Sequence, residues 1–319
     1  MKLLINIPAY NEDEVIAKTI RSLPSRVRGF SRVKVQIIDD GSIDKTRETA
    51  KKAGADYVYS ARINRGLGIA FRKAVLKALE KGFDVMVNID ADGQFDPSDI
   101  PKLVEPILKK QADICIGSRF SGVRAKNMPF IRRALNKLAA KVVGIFLGAK
   151  TDDITCGFRA YNREAMLRLN LTHQFTYTQE TIIDALGKNL KLTWVGVRVT
   201  YLKNRKAKLT KSLWNFIFQS LMIIFKALRD TQPLKFFGFP ALSMITGSII
   251  IFAVFAFFYL QTFKITPYRN WLGIASVLLL MGAQLLIFAF LADMIKTSRK
   301  IAEDEMYEQR RRHYRVSAK

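Results

Sequence analysis

The sequence predicts an α/β fold, a mainly parallel sheet flanked by helices, followed by interfacial helices and two C-terminal transmembrane helices. Three observations predict it. Short β-rich runs alternate with helical patterns from residue 1 to about 120, charges recur every few residues from Met1 to Lys235, and two later runs, Phe236 to Leu260 and Trp271 to Ala292, carry no charge. Alternating strands and helices imply a parallel sheet covered on its faces. At about 1.5 Å per residue the shorter uncharged run reaches roughly 33 Å, the depth of a hydrocarbon core of about 30 Å.

The strand runs are Leu3 to Ile7, Val33 to Ile38, Tyr57 to Tyr59, Val85 to Ile89 and Asp113 to Gly117. The helical patterns between them are Glu12 to Leu23, Lys45 to Ala53, Leu67 to Lys81 and Pro97 to Lys110. The opening run is too short for a signal sequence and is broken by Asn6 and Pro8, so it reads as a strand. Beyond Gly122 the pattern changes: residues 128–147 place Ile131, Leu135, Leu138, Val142 and Ile145 on one helical stripe, with Arg132, Arg133, Lys137 and Lys141 elsewhere. Such a helix either lies on a membrane surface or packs on the domain core. Leu213 to Phe225 is apolar and aromatic but too short to span, which makes 212–235 an interfacial segment. The expected division is a domain at 1–211, the interfacial segment at 212–235, spans at 236–260 and 271–293, and a basic tail at 294–319 that is a charged helix or disordered.

Charge placement sets the orientation. Lys203, Arg205, Lys206, Lys208, Lys211, Lys226, Arg229 and Lys235 precede the first span; Lys296, Arg299, Lys300 and Arg310 to Arg312 follow the second, while the connecting loop has only Lys264 and Arg269. Basic flanks stay on the cytoplasmic side, so both chain ends are expected in the cytoplasm of a multi-pass cell-membrane protein. Much of the net charge of +25 lies beside these spans, where each basic residue near an anionic leaflet contributes about 1 kcal/mol of attraction. A nucleic-acid partner is not expected, because no nucleic-acid motif accompanies the charge. Cys115 and Cys156 lie far apart without partner-spaced histidines and read as ordinary residues of a reducing compartment.

In a parallel α/β sheet the ligand lies beyond the carboxyl ends of the strands. Those ends carry Pro8-Ala9-Tyr10-Asn11-Glu12, Asp39-Asp40-Gly41-Ser42-Ile43-Asp44 and Asp90-Ala91-Asp92-Gly93-Gln94. Two carboxylates one residue apart, on a turn closed by Gly93, can reach a divalent cation together, and Gln94 can add a carbonyl oxygen. An acidic pair after a strand can equally cap a helix. Asp40 is placed to accept hydrogen bonds from a base or ribose. Asn64-Arg65-Gly66-Leu67-Gly68 opens a helix as either a phosphate-facing turn or a plain loop; Phe71 occupies the third glycine position of a dinucleotide fingerprint.

Taken in order, these four motifs resemble those of the family-2 glycosyltransferases, whose chemistry runs on the GT-A fold. Gly117-Ser118-Arg119, Cys156-Gly157-Phe158-Arg159-Ala160 and Arg205-x-x-Lys208-x-Thr210-Lys211 are similar to the later signatures of one branch, the polyprenyl-phosphate sugar transferases that include dolichyl-phosphate mannose synthases. The resemblance covers roughly residues 3 to 215. It departs at Lys208 and Thr210, where that branch usually has glycine and serine.

The resemblance implies a cytosolic GT-A catalytic domain that moves a hexose, with inversion, from a GDP- or UDP-linked sugar to a dolichyl or undecaprenyl phosphate. Pro8, Tyr10, Glu12 and Asp40 would hold the nucleoside. Asp90, Ala91, Asp92 and Gln94 would form the Mg2+ or Mn2+ and diphosphate turn, with Asp90, Asp92 and Gln94 facing the metal. Arg119, Arg205 and Lys211 would meet the phosphates and, with Asp92, carry the reaction, while Arg132 and Arg133 are candidates for drawing in the lipid phosphate. Asp152, Asp153 and Glu180 would orient groups near the sugar, cap helices or pair with Arg159. The other readings are a polysaccharide synthase with the same donor site and a silent nucleotide-sugar-binding membrane scaffold. Gln309-x-x-Arg312 is followed by His313 rather than the tryptophan of a synthase acceptor motif. Gly273, Ala275 and Gly282 could pack the two spans together or pair subunits into a homo-oligomer.

Overall fold

Strands form where the apolar runs occur. The computed structural model describes residues 1–121, 130–171, 177–200, 221–222, 225–226, 229–266 and 269–316. In chain order its elements are β1 (Lys2–Ala9), α1 (Asp13–Arg21), β2 (Arg32–Asp39), α2 (Thr46–Lys52), β3 (Tyr57–Ser60), α3 (Leu67–Glu80), β4 (Val85–Asn88), α4 (Ile100–Leu108) and β5 (Ile114–Ser118). They continue as α5 (Phe130–Leu147), β6 (Arg159–Asn162), α6 (Arg163–Arg168), α7 (Thr178–Gly187), β7 (Leu192–Gly196), α8 (Pro233–Thr262) and α9 (Arg269–Val316). β1 is buried along nearly its whole length, as a strand covered on both faces must be. α1 places Asp13 and Glu14 in its first turn and Lys18 and Arg21 in its last, matching the helix dipole at both ends. Asn162 caps α6 by accepting a 2.7 Å hydrogen bond from the Ala165 backbone N–H.

Among the described residues the sheet runs β3-β2-β1-β4-β6-β5-β7. β1 pairs in parallel with both β2 and β4, and β6 runs antiparallel between β4 and β5. The chain moves outward from β1 through β2 to β3 and then returns to the other side of β1 as β4. That reversal makes the carboxyl ends of β1 and β4 a topological switch point, where open α/β sheets place their ligands. β6 and the edge strand β7 were not anticipated from sequence; β7 runs parallel to β5, and the antiparallel β6 makes the sheet mixed.

Two compact units divide the chain: Met1–Ile224 with Glu303–Lys319, and Phe225–Ala302. The second contains α8 and the first part of α9, two helices long and apolar enough to cross a membrane. Inside it, the buried Ser248 hydroxyl donates to the Ala275 carbonyl at 2.7 Å. A methyl added to Gly282 would meet Ile245 Cγ1 at 2.7 Å and the Ala241 carbonyl at 3.0 Å, whereas Gly273 faces open space. Ala275 and Gly282 therefore pack the two apolar helices together. Gly282→Leu is expected to lower the stability of the hairpin by about 1–3 kcal/mol, and Gly273→Leu to leave it unchanged, as read by thermal unfolding in detergent.

The basic tail departs from the disordered alternative. α9 continues to Val316, and its last turns pack on the first unit. The Tyr307 hydroxyl lies 3.0 Å from both Glu164 carboxylate oxygens, and the Arg168 guanidinium sits 4.5 Å from the Tyr307 ring centre. Arg310 donates to the Leu167 and Leu169 carbonyls, and Lys188 pairs with Glu303 at 3.1 Å. Glu303, Tyr307, Arg310 and Tyr314 share one helical face by their spacing.

Candidate active site

The loops after β1 and β2 are stitched to each other. Asn11, in a left-handed conformation at φ 52°, donates its backbone N–H to Ser42 Oγ at 2.9 Å and accepts from the Ile43 N–H through its side-chain oxygen. The Glu12 N–H donates to Thr46 Oγ1 at 2.7 Å. Gly41 has φ 80°, and a Cβ there would lie 2.5 Å from the Ile63 carbonyl carbon, so the close approach of the 63–66 loop requires glycine. Tyr10 is exposed at this rim.

Asp40 takes a different first role from the one expected. Its two carboxylate oxygens accept the backbone N–H groups of Arg65 at 3.0 Å and Gly66 at 2.8 Å. It is buried, and it shapes the turn that opens α3. Its neighbour Asp39 is fully buried and accepts from the Ser42 N–H at 3.0 Å.

The Asp90-Ala91-Asp92 turn sits just beyond β4. Gly93, at φ 71°, closes it, and the Ala91 carbonyl accepts the Thr19 hydroxyl at 2.9 Å, anchoring the turn on α1. Gln94 also acts on its neighbour: its backbone N–H donates to Asp92 Oδ1 at 3.0 Å and its side-chain amide to Oδ2 at 2.6 Å. It holds Asp92 in place and keeps only its amide oxygen for a cation. Asp90 retains a partial opening to solvent, yet burial of its carboxyl and then the charge of Asp92 push its pKa up to about 7. The charge of Glu12 acts in the same direction, while Arg119 and Arg159 pull it down.

Arg119 is committed inside the protein. At the end of β5 it forms a forked pair with Asp153, Nε to Oδ2 at 2.6 Å and Nη2 to Oδ1 at 2.7 Å, and it also donates to the Thr155 hydroxyl. Burial pushes Asp153 up, but the charge and hydrogen bonds of Arg119 outweigh it and hold the carboxyl below its ordinary value. Of the alternatives open for Asp153, pairing with Arg159 is not formed; its partner is Arg119. Asp152 instead accepts the hydroxyls of Ser118 and Ser121. Cys115 and Cys156 are free and buried, and burial pushes both thiols up to about 12.

The structure therefore gathers Glu12, Asp90, Asp92, Gln94 and, behind them, Arg119 around the switch point. Arg133 lies half-buried on α5. The side chain of Arg132, and Arg205, Lys208, Thr210 and Lys211, lie outside the described residues. Sequence reasoning missed Gly157, whose Cβ, if it had one, would stand 2.9 Å from an Asp90 carboxylate oxygen. The motif around it was visible, but its approach to Asp90 is set by β6, which was not.

Residues 5–169 match the model of glycosyl transferase family 2. The chain belongs to that family. Over 294 residues it is 30% identical to the glycosyltransferase AglJ of Haloferax volcanii, covering 90% of this chain and 91% of that protein. It is 34% identical over 176 residues to an undecaprenyl-phosphate mannosyltransferase of Micrococcus luteus, covering 54% of this chain and 70% of the relative. Among solved structures, glucosyl-3-phosphoglycerate synthase from Mycobacterium tuberculosis, determined with Mn2+, UDP and glucosyl-3-phosphoglycerate, superposes with a TM-score of 0.57 at 20% identity, over 71% of this chain and 80% of that one. The fold of this family-2 enzyme is GT-A-like, and the enzyme is similar to polyprenyl-phosphate sugar transferases.

The donor set suits a divalent cation. Burial first and then the charge of Asp92 disfavour the ionised form of Asp90, and a cation held by the pair would favour it. Among the described residues no group of three His, Cys, Asp or Glu side chains is placed to hold a metal ion by itself. Two carboxylates completed by substrate phosphate oxygens and water is the arrangement in which Mg2+ is usually held, and Mn2+ accepts the same hard-oxygen set.

Proposed function

We propose that the enzyme transfers one hexose, with inversion, from a GDP- or UDP-linked sugar to a polyprenyl phosphate at the cytosolic face of a membrane. The observation that carries this reading is the Asp90/Asp92 pair at the switch point of a family-2 fold, in a chain with two helices of membrane-spanning length. The polyprenyl-phosphate relative supports the acceptor class.

In this reading Asp90 and Asp92 hold the cation, Gln94 fixes the angle of Asp92, and the loops carrying Pro8, Tyr10, Glu12 and Asp40 frame the nucleoside. The bound metal ion supplies charge neutralisation to the departing nucleoside diphosphate. Arg205 and Lys211 meet the phosphates. Arg119, through Asp153, keeps the end of β5 in register behind the site. The acceptor phosphate carries about −1.5 to −2 charge near neutral pH, so its oxygen attacks the anomeric carbon with little need for a general base. Catalysis then rests on alignment and charge stabilisation.

α5 supports delivery of the acceptor from a bilayer. Asn136, Ala140 and Val143 on one side are buried, while Leu138, Val142 and Ile145 are exposed at helical spacing beside Lys137 and Lys141. An exposed apolar stripe flanked by lysines suits the interfacial region of an anionic membrane. Val142→Asp is expected to raise the KM for polyprenyl phosphate about tenfold, the loss of about 1.5 kcal/mol of apolar burial, while leaving the KM for the donor unchanged. Equal KM values for the acceptor in wild type and variant would remove α5 from this role.

The reading is tested by presenting the purified full chain, with Mg2+ or Mn2+, with labelled GDP-mannose, UDP-glucose and UDP-N-acetylglucosamine and a polyprenyl phosphate. A lipid carrying a single sugar from one donor is expected. A polymer would instead favour the synthase reading, and nucleotide-sugar binding without any product would favour a scaffold.

A further inference from the structure

A buried polar chain crosses the sheet directly beneath the Asp90-Ala91-Asp92 turn. Gln36 on β2 donates its amide to the Asn6 side-chain oxygen on β1 at 3.0 Å, and Asn6 donates to the Asn88 side-chain oxygen on β4 at 2.6 Å. Asn88 then donates to the Tyr177 hydroxyl at 2.6 Å and to the Gly157 carbonyl at 3.2 Å, and the Tyr177 hydroxyl donates to that same carbonyl at 3.0 Å. Asn6, Gln36, Asn88 and Tyr177 are fully buried. Three buried amides and a phenol carry a desolvation cost that their mutual hydrogen bonds offset, with Gln36 Oε1 at the far end lacking a partner among the described residues. The chain ends on the carbonyl of Gly157, whose own α-carbon faces the Asp90 carboxylate.

A second tie holds the same loop from the other side. The guanidinium of Arg159, fully buried, donates to three carbonyls: Cys156 at 2.6 Å, Thr178 at 2.8 Å and Ile154 at 3.1 Å. It thereby fastens the 154–156 loop to the start of α7, immediately after Tyr177. The Tyr177 ring is stacked on Phe71 with centroids 4.0 Å apart, which fixes the hydroxyl's direction from α3. Gly157 is consequently clamped on both sides of its peptide. Its backbone is pressed directly against the carboxylate, since a Cβ on it would stand 2.9 Å and 3.0 Å from the two Asp90 oxygens.

We infer that Asn88, Tyr177 and Arg159 are positioning residues for the metal turn: they hold the Gly157 backbone against Asp90 and so set the direction in which its carboxylate is presented to the cation. This rests on the proposed metal-binding role of Asp90 and Asp92. All three are fully buried. Their effect reaches the reaction through the fixed wall behind Asp90, the kind of support that keeps a ligating carboxylate within a few tenths of an ångström of its working position.

The test is Mn2+ binding to the full chain in detergent, followed by the electron paramagnetic resonance signal of free Mn2+ in the presence of UDP or GDP, alongside thermal unfolding. Tyr177→Phe keeps the ring stacked on Phe71 and removes the hydroxyl. Asn162→Ala, which removes the cap of α6 at the opposite end of the sheet, serves as a control for general destabilisation. Tyr177→Phe is expected to weaken Mn2+ binding about tenfold, with Asn162→Ala binding as wild type despite a lowered unfolding temperature. Unchanged binding in Tyr177→Phe, or equal weakening in both variants, would overturn the inference. Asn88→Ser carries the same test if Tyr177→Phe does not yield folded protein. A wild-type chain that binds nucleotide but no Mn2+ would overturn the metal reading itself, which separates that failure from failure of the clamp.

Discussion

Asp92→Ala is expected to lower sugar transfer by at least about a thousandfold while leaving the protein folded. The cation's neutralisation of a departing diphosphate is worth several kcal/mol, and about 4 kcal/mol corresponds to three powers of ten in rate. The fold is expected to survive because Asp92 is half-buried and its hydrogen bonds to Gln94 are local to the turn. Loss of Asp92 also removes the negative charge that helps raise Asp90, so the remaining carboxylate ionises more readily but stands alone. Transfer rates are measured with saturating donor and metal, and unfolding temperature is measured in parallel. Activity within tenfold of wild type would remove the turn from the reaction.

Asp153→Ala is expected to give the largest loss of stability. Arg119 and Asp153 retain 5% and 0% of their side-chain exposure and meet through two side-chain hydrogen bonds, so removing the carboxylate takes the opposite charge away from a buried guanidinium. Breaking such a pair costs about 3–5 kcal/mol, a fall in unfolding temperature on the order of 10 °C for a domain of this size. The double substitution Arg119→Met with Asp153→Leu is expected to recover much of that loss, because it removes both charges. The pH dependence has a definite sign. Asp153 titrates below its unfolded value of 3.8, so the pair's stabilisation is complete well above pH 3.8 and disappears as the pH falls through the lower, folded value. Thermal unfolding between pH 3 and 7 reads this: the difference between wild type and Asp153→Ala should shrink on acidification. A constant difference would contradict the pairing.

Much of this architecture was legible in the sequence because it is local. β1, β2 and β4 are apolar runs, and the rule that ligands gather beyond strand ends led directly to Asp40 and to Asp90-Ala91-Asp92. The uncharged runs gave both apolar helices, which the structure forms as α8 and α9. What escaped was set by contacts across long stretches of chain. β6 spans four residues and pairs with β4 and β5 only after α5 intervenes, so neither its existence nor its direction shows in a periodicity. The commitment of Asp40 to the 65–66 backbone, and of Arg119 to Asp153, depends on loops brought together by the sheet. A carboxylate free to bind ligand and one spent on the protein's own N–H groups look alike in a sequence. The tail's docking did leave a signal: Tyr307 and Tyr314 fall on one helical face with Glu303 and Arg310, within a segment whose charge suggested solvent.

The proposed acceptor is a lipid phosphate. This proposal is tested most directly by offering the purified full chain its preferred donor with a polyprenyl phosphate and, in parallel, with the corresponding polyprenol lacking the phosphate, and analysing the lipid products by mass spectrometry. The expected result is a single hexose joined through the phosphate in the first reaction, released by mild acid, and no product in the second. Equal glycosylation of the free polyprenol, or transfer only to soluble acceptors, would contradict the account.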